Sequence, residues 1–305
     1  MSVDSTLPKV LVLLSTHNGS RWLDEFLESL VSQIGVDLSI IVRDDGSGDD
    51  TLNILRSFRG KLKIEIVSGK NIGSFESYLE LIKCASNFDF DYFSFADQDD
   101  VWHTKKTITA IERLLDTQKQ VYGSRRIPFS EEGKRVGKPY PKKNVVTSFS
   151  LSLFENFLPA CAIVGTRDFY LWLRNIPIPG SMLYIDMAIC SLACSANTLY
   201  MDQDSFIDYR IHSSNTVGIN RGLGKIRRLR IKSYHSRIDA LTWLAENQYN
   251  QIAINDALLV KKILYQKGIF KRIKILRSCG DIRQSKLESF LLKTHLIFRV
   301  PVSTV

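Results

Sequence analysis

The sequence predicts an α/β protein: an open, mainly parallel sheet with helices on both faces, followed by a basic, mainly helical C-terminal extension. Three observations lead there. Over residues 9–120, short apolar runs alternate with stretches of helical periodicity, and repeated β-α units of this kind build parallel sheets covered on both sides. The first run, KVLVLL at 9–14, is apolar without alternation, as a strand buried on both faces should be. Charge then divides the chain. Residues 221–305 hold 18 Lys/Arg against 5 Asp/Glu, and residues 1–220 hold 23 against 27. The two parts, 1–220 and 221–305, are therefore expected to form a main domain and an extension with a different task.

Each element follows in order. SRWLDEFLESLVSQ (20–33) places Trp22, Leu23, Phe26, Leu27, Leu30 and Val31 on one helical stripe, the pattern of a helix packed on a sheet. LSIIV predicts a second strand, TLNILRSF a helix, KLKIEIVS a third strand and NIGSFESYLELIKCA a helix. DYFSFA predicts a fourth strand and KKTITAIERLLDTQ the helix after it. From 121 to 150 the pattern breaks: YGSRRIPFSEEGKRVGKPYPKK is rich in Gly, Pro and Lys and reads as loop. FLPACAIVGTRDFYLWL reads as a strand leading into a helix. MLYIDMAICSLACSAN reads as a largely buried helix with one acid, Asp186, and LYMDQDSFIDYRIHSSNTVG as late strands and a loop.

No segment reaches about 18 uninterrupted apolar residues, the length a spanning helix needs. The N-terminus lacks a basic region before its short apolar run and reads as a first strand, not a signal peptide. The five cysteines form no C-x-x-C pair, which suits reduced thiols in a cytoplasmic protein; Cys190 and Cys194 read as helix packing.

Parallel α/β sheets bind ligands at the carboxyl ends of their strands. By that rule STHN (15–18), RDDGS (43–47) and ADQDD (96–100) share one edge. ADQDD sets Asp97, Asp99 and Asp100 together. Unit charges ~5 Å apart repel by roughly 3 kcal/mol at an effective dielectric near 20. A divalent cation, Mn²⁺ or Mg²⁺, offsets such a cost and suits these oxygen donors; an acidic turn capping the next helix is the alternative. Asp44 and Asp45 fit a turn and helix cap, and a carboxylate there can also accept a hydrogen bond from a pyrimidine N–H. Ser15 and Thr16 supply hydroxyls, Asn18 an amide, and His17 a ring able to stack on a base. Together these groups suggest a pocket for a nucleoside diphosphate held through a metal.

The order STHNGSRWLDEFLESLVSQ, IIVRDDGSGDDT, KNIGSFESY, DYFSFADQDDVW resembles the family 2 glycosyltransferases, and among them the bacterial rhamnosyltransferase-like members that build surface polysaccharides. The resemblance covers roughly residues 9–220. It implies the GT-A nucleotide-diphospho-sugar transferase fold and inverting transfer from a dTDP- or UDP-sugar, rhamnose or a similar sugar. The acceptor it implies is a lipid-linked saccharide in O-antigen or capsule synthesis. Carried over by position, Asp45 contacts the base, and Ser15, Thr16 and His17 line its pocket. Asn18 and Asn71 join the nucleotide-sugar set. Asp97 meets ribose and metal, and Asp99 the metal directly. His212, in IDYRIHSSNTVG, completes the metal site or touches the diphosphate, and Arg210 neutralises phosphate. Asp186 matches the general base that deprotonates the acceptor; as a lone carboxylate in an apolar segment it also has a physical case, since partial burial raises a carboxyl pKa. Three departures stand out. His17 replaces a frequent aromatic, VWHT replaces a frequent VWLP, and Ile185 stands where an acid or imidazole often precedes the base.

The tail mixes cations with Ile, Leu and Phe at near-helical spacing, as in GKIRRLRIKSYHSR and IFKRIKILRS. Such helices bind anionic membrane surfaces or pack with a solvated basic face. The resemblance favours the membrane, with the protein peripheral on the inner face of the cytoplasmic membrane; nucleic acid is not expected. Two other functions fit parts of the pattern. FADQDDV satisfies the strand-D-x-D-x-[TV] signature of haloacid dehalogenase-type phosphohydrolases, though three β-α units precede it and CGDIRQS lacks their second acid. A non-catalytic nucleotide-sugar-binding module would keep the fold without needing every acid.

Overall fold

KVLVLL extends into strand β1, Lys9–Thr16, whose Val10 to Leu14 have no exposed surface. In the computed structural model, which describes residues 6–179, 184–212, 269–278 and the single positions 286, 289 and 293, this strand is the axis of an eight-stranded sheet. The other strands are β2 (Asp37–Asp44), β3 (Lys63–Ser68), β4 (Tyr92–Asp97), β5 (Val101–Trp102), β6 (Val121–Ser130), β7 (Val164–Thr166) and β8 (Leu199–Ile211). The helices are α1 (Leu23–Val31), α2 (Thr51–Ser57), α3 (Ser74–Cys84), α4 (Lys106–Thr117), α5 (Phe149–Phe154), α6 (Arg167–Leu173), α7 (Ile185–Ser195) and α8 (Ile269–Ser278).

The strand order is β3-β2-β1-β4-β7-β6-β8-β5. The first four strands are parallel, as the β-α repeats predict. Beyond β4 the sheet is mixed: β7 runs antiparallel to β4 and β6, β8 parallel to β6, and β5 antiparallel to β8. Alternate residues of the buried strands face opposite layers. Val12, Leu14, Ile40 and Val42 pack on Leu23, Phe26, Leu27 and Leu30 of α1 and Leu55 of α2. Phe93 and Phe95 meet α3 and α6 instead, through edge-on contacts of Phe95 with Tyr78 and a parallel stack of Phe93 on Phe169.

Two expectations need correction. Residues 121–130 are not loop but the ten-residue strand β6. Its signal is hidden because Gly123, Arg125, Arg126 and Pro128 interrupt the apolar run, and the pairing with β8 shifts register between Gly123 and Arg126. Gly123 marks a close approach, not a turn: a Cβ there would lie 2.3 Å from Leu158 and 2.6 Å from Met201. Loop does begin after Ser130, folded back by the isolated bridges of Arg126 with Tyr140 and Phe129 with Arg135. The other correction concerns the first helix. It starts at Leu23, so Trp22 precedes it, and Val31 is 39% exposed; neither belongs to the buried stripe.

The chain groups into two compact units. One comprises Met1–Pro141, Leu158–Pro177 and Leu199–Ile219, and thus the whole sheet. The other comprises Lys142–Phe157, Ile178–Thr198 and Asn220–Val305. Within it, the Ser152 and Ser191 hydroxyls lie 3.1 Å apart and tie α5 to α7. Most of the charge-defined tail lies outside the described residues. Among the described residues, no helix is long and apolar enough to cross a membrane.

Candidate active site

The three motifs meet because their strands are neighbours in register. Thr16 pairs with Asp44, and Ser15 with both Arg43 and Asp97, so β1, β2 and β4 end side by side. The loops that follow are laced together by side chains capping backbone N–H groups. Asn18 N–H donates to Ser47 Oγ at 2.9 Å, Gly19 N–H to Thr51 Oγ1 at 2.9 Å and Ser20 N–H to Asp49 at 3.0 Å. Gln98 reaches across from the acidic loop, accepting the His17 N–H at 3.0 Å and donating to the His17 carbonyl at 3.1 Å. The middle residue of Asp97-Gln98-Asp99 thus fixes the β1 loop, a role that nothing in the sequence signals.

On the β1–β2 side, Thr16 and Asp44 are buried and bonded to each other at 3.2 Å, and Asp44 also receives the Ser47 hydroxyl at 2.6 Å. Asp45 is 2% exposed. Its carboxylate holds Arg43 and accepts the N–H groups of Ile72 at 2.7 Å and Gly73 at 2.9 Å. Burial pushes its pKa up, but those two N–H groups and the guanidinium outweigh it and hold the carboxyl below its usual range. Arg43 also bonds Glu80 at 2.5 Å, and these contacts raise its own pKa against the cost of burial. The structure therefore places Asp45 beneath the 70–73 loop, with Arg43 as the partner that sequence reading missed. The exposed groups here are His17, Asn18 and Asn71. Their side chains converge: Asn18 Nδ2 lies 3.2 Å and Asn71 Nδ2 3.3 Å from His17 Nε2, while His17 Nδ1 lies 3.0 Å from the Asp45 carbonyl. Ser15 is half-buried beside them.

On the β4 side, Asp97 is half-buried and accepts the Tyr78 hydroxyl at 3.1 Å. Asp99 faces His212, with Oδ2 2.6 Å from Nε2. These two residues, 113 positions apart, meet where Arg210 fastens β8 to the acidic loop. Its backbone N–H donates to Asp100 Oδ1 at 3.2 Å and its Nε to the Asp99 carbonyl at 2.9 Å. Arg210 is itself 3% exposed, with its guanidinium on Glu25 and over the Phe129 ring. It is thus a buried strut between α1, β8 and the loop. Trp22 stacks on His212, with ring centroids 4.1 Å apart.

Asp100 has no exposed surface. Burial, then the Asp99 and Asp97 charges, push its carboxyl well above the usual range. Asp97, Asp100 and Cys161 each offer a ligand atom within 4.8 Å of the others; Cys161 is a neighbour that sequence reading did not associate with the acids. Asp100 Oδ2 accepts no hydrogen bond from any described residue. The oxygens of Asp97 and Asp100 suit a hard divalent cation; the expected set of Asp97, Asp99 and His212 is not drawn together that closely among the described residues, and Asp99 and His212 pair with each other instead.

Asp186 lies in the second unit, in the first turn of α7, where a carboxylate is favoured by the helix N-terminus. It is half-buried among Ile185, Met187 and Ala188, as the apolar segment predicts.

Comparison with known proteins gives a consistent result. The sequence profile described as Glycosyl transferase family 2 matches residues 11–170. The chain is 28% identical to dTDP-rhamnosyl transferase RfbG of Shigella flexneri over 301 residues, covering 94% of this chain and 100% of that one. It is 34% identical to an uncharacterized glycosyltransferase of Haemophilus influenzae over 255 residues, 76% of each chain. Staphylococcus aureus TarS 1-349, solved in complex with UDP, superposes with a TM-score of 0.58 at 14% identity, covering 90% of this chain and 80% of that one. Mannosyltransferase PcManGT from Pyrobaculum calidifontis, solved with GDP-Man and Mn²⁺, gives 0.57 at 14% identity, covering 95% and 80%. The shared fold is the GT-A type.

Proposed function

The chain belongs to glycosyl transferase family 2, and from that membership we propose that it is an inverting, metal-dependent enzyme. It moves a sugar, rhamnose or a similar one, from a dTDP- or UDP-sugar to a saccharide acceptor, lipid-linked, in bacterial surface polysaccharide synthesis. The observation that carries this reading is that the carboxyl ends of β1, β2 and β4 set the His17–Asn18–Asn71 cluster beside the acidic loop of Asp97, Asp99 and Asp100, with His212 of the segment after β8 on Asp99. The first trio suits a base and ribose, and the second a metal-bound diphosphate. The near full-length similarity to a dTDP-rhamnosyl transferase supports the donor. Membership in this family leaves no part for the phosphohydrolase reading.

Asp97, Asp99 and His212 would hold Mn²⁺ or Mg²⁺, which supplies positive charge to the departing nucleoside diphosphate. His17, Asn18 and Asn71 orient the nucleoside, and Asp45 supports their loop from beneath. Asp186 takes the proton of the acceptor hydroxyl as its oxygen bonds to the anomeric carbon. The carbon–oxygen bond to the diphosphate breaks on the opposite face, and configuration inverts. Asp186 is assigned by its match to the family motif. The basic, partly apolar tail suits an anionic membrane surface, which would keep the protein on the cytoplasmic face near a lipid-linked acceptor.

The test is release of nucleoside diphosphate from a panel of dTDP-, UDP- and GDP-sugars with Mn²⁺, Mg²⁺ or EDTA, using a lipid extract of the source as acceptor. Release from one donor, dependent on metal and lost in Asp99→Ala, is expected. Asp186→Asn should keep donor binding and lose about 10²-fold or more in transfer; a binding module would show no transfer to lose. If no donor binds with or without metal, the proposal fails.

A further inference from the structure

Beside the site stands a cation that no described residue pairs with through a hydrogen bond or ion pair. Arg126, on β6, lies half-buried with its guanidinium stacked 3.9 Å over the Tyr209 ring and the Tyr140 ring 5.8 Å away. The stacks fix the plane of the guanidinium but use none of its five N–H donors, and no described residue accepts a hydrogen bond from them. The charge stands in the field of Asp100 and Cys161, the residues that back the metal-type acids. Asp100 is not its counter-ion: no hydrogen bond or ion pair joins the two, and Asp100 is held instead by the Arg210 N–H and the Cys161 thiol. A half-buried guanidinium with a fixed plane and donors that no described residue shares, set beside carboxylates that suit a metal, fits a ligand that carries both signs. A metal-bound diphosphate is such a ligand.

We propose that Arg126 is a binding residue for the diphosphate of the nucleotide, taking phosphate oxygens with its unshared fork. This rests on the glycosyltransferase reading above. It also gives Arg210, which is engaged with Glu25 and Asp99, the structural part and Arg126 the phosphate part. An arginine suits the task because its planar fork meets two phosphate oxygens at once.

The test compares binding of dTDP with dTMP, and of UDP with UMP, to wild type, Arg126→Met and Arg126→Lys, by calorimetry with Mn²⁺ and in EDTA. Binding of Mn²⁺ alone is read in parallel. Wild type should prefer the diphosphate in either buffer. Arg126→Met should reduce that preference about tenfold or more while monophosphate affinity stays within about twofold. Arg126→Lys keeps charge and bulk without the fork and should fall between, so it covers a Met variant that fails to fold. If Arg126 only balances the acids, its loss should tighten Mn²⁺ binding and leave the diphosphate preference unchanged; that result overturns the assignment alone. Wild type binding neither nucleotide would sink the glycosyltransferase reading and this inference together.

Discussion

His212 Nε2 lies 2.6 Å from Asp99 Oδ2, and the same imidazole is backed by the Trp22 ring at 4.1 Å. Two separate segments are joined there: Trp22 leads into α1, and His212 follows β8. A group that orients a metal-binding carboxylate typically changes metal affinity by about 10–100-fold when lost. His212→Ala should therefore raise the Mn²⁺ concentration for half-maximal nucleoside diphosphate release by that order. Trp22→Leu, which leaves the imidazole but removes its backing, should raise it by a smaller factor. Manganese titrations of both variants check this. Unchanged midpoints in both would make the pair a packing feature without a part in the metal site.

Asp45 and Arg43 are the most enclosed ion pair in the site, with both side chains 4% exposed. Removing one partner of a buried pair costs about 3–5 kcal/mol; here Arg43 keeps Glu80, and the loss includes the acceptor of the Ile72 and Gly73 N–H groups. Asp45→Ala should fall in that range by urea unfolding, and the double change Asp45→Leu, Arg43→Met should cost less than the single one. The pH dependence has a definite sign. The folded carboxyl is held below its unfolded value of about 3.9, so its contribution is complete above that pH. It is lost as pH falls through the lowered folded value. Asp45→Ala should accordingly lose less stability than wild type between about pH 5 and pH 2.

Helix α8 supports the membrane proposal locally. Phe270 is 87% exposed, Lys271, Lys274 and Arg277 are exposed, and Leu276 is buried. Each basic residue near an anionic surface contributes about 1 kcal/mol. Lys271→Glu with Lys274→Glu should therefore weaken binding to phosphatidylserine-containing vesicles by about tenfold or more, with little change on neutral vesicles. Co-sedimentation measures both. Equal binding of wild type and variant to anionic vesicles would leave the tail without this role.

The parallel half of the sheet was legible because β1, β2 and β4 are mostly apolar runs ending in polar residues and β3 alternates apolar with polar ones. That geometry alone put Thr16, Asp44 and Asp97 on one edge. The family motif assigned Asp99 to the metal and His212 to the metal or the diphosphate, but their direct bond was not legible, since nothing local links residues 113 positions apart. What stayed hidden has a common cause. Arg43, Arg126 and Cys161 sit within strands or tight turns where composition shows only a charge or a small apolar residue. Their meaning arises from what the sheet sets beside them: Asp45, Tyr209 and Asp100. Strand β6 was misread because its Gly and Pro punctuate the run while tertiary pairing to β8 overrides them.

Lys106 belongs to the same hidden set and gives the sharpest pH signature. It opens α4 with no exposed surface; its ammonium lies 3.2 Å over the Trp102 ring and donates to Ser94 Oγ at 3.1 Å. Burial pulls its pKa down to about 7, against the upward pull of Cys161 and Asp100. An unfolded lysine titrates near 10.4. Below the folded value the amine is charged in both states. Between the two values the unfolded chain holds a proton that the folded chain has released, so stability rises with pH across that window. The slope approaches about 1.4 kcal/mol per pH unit. Wild type should therefore gain about 2 kcal/mol relative to Lys106→Met between pH 7 and pH 9, read by urea unfolding of both at matched pH. Parallel stability curves would mean that Lys106 keeps its proton throughout, held by the Trp102 face and the acids near Asp100, and that the buried charge is a permanent counterweight to the acidic loop.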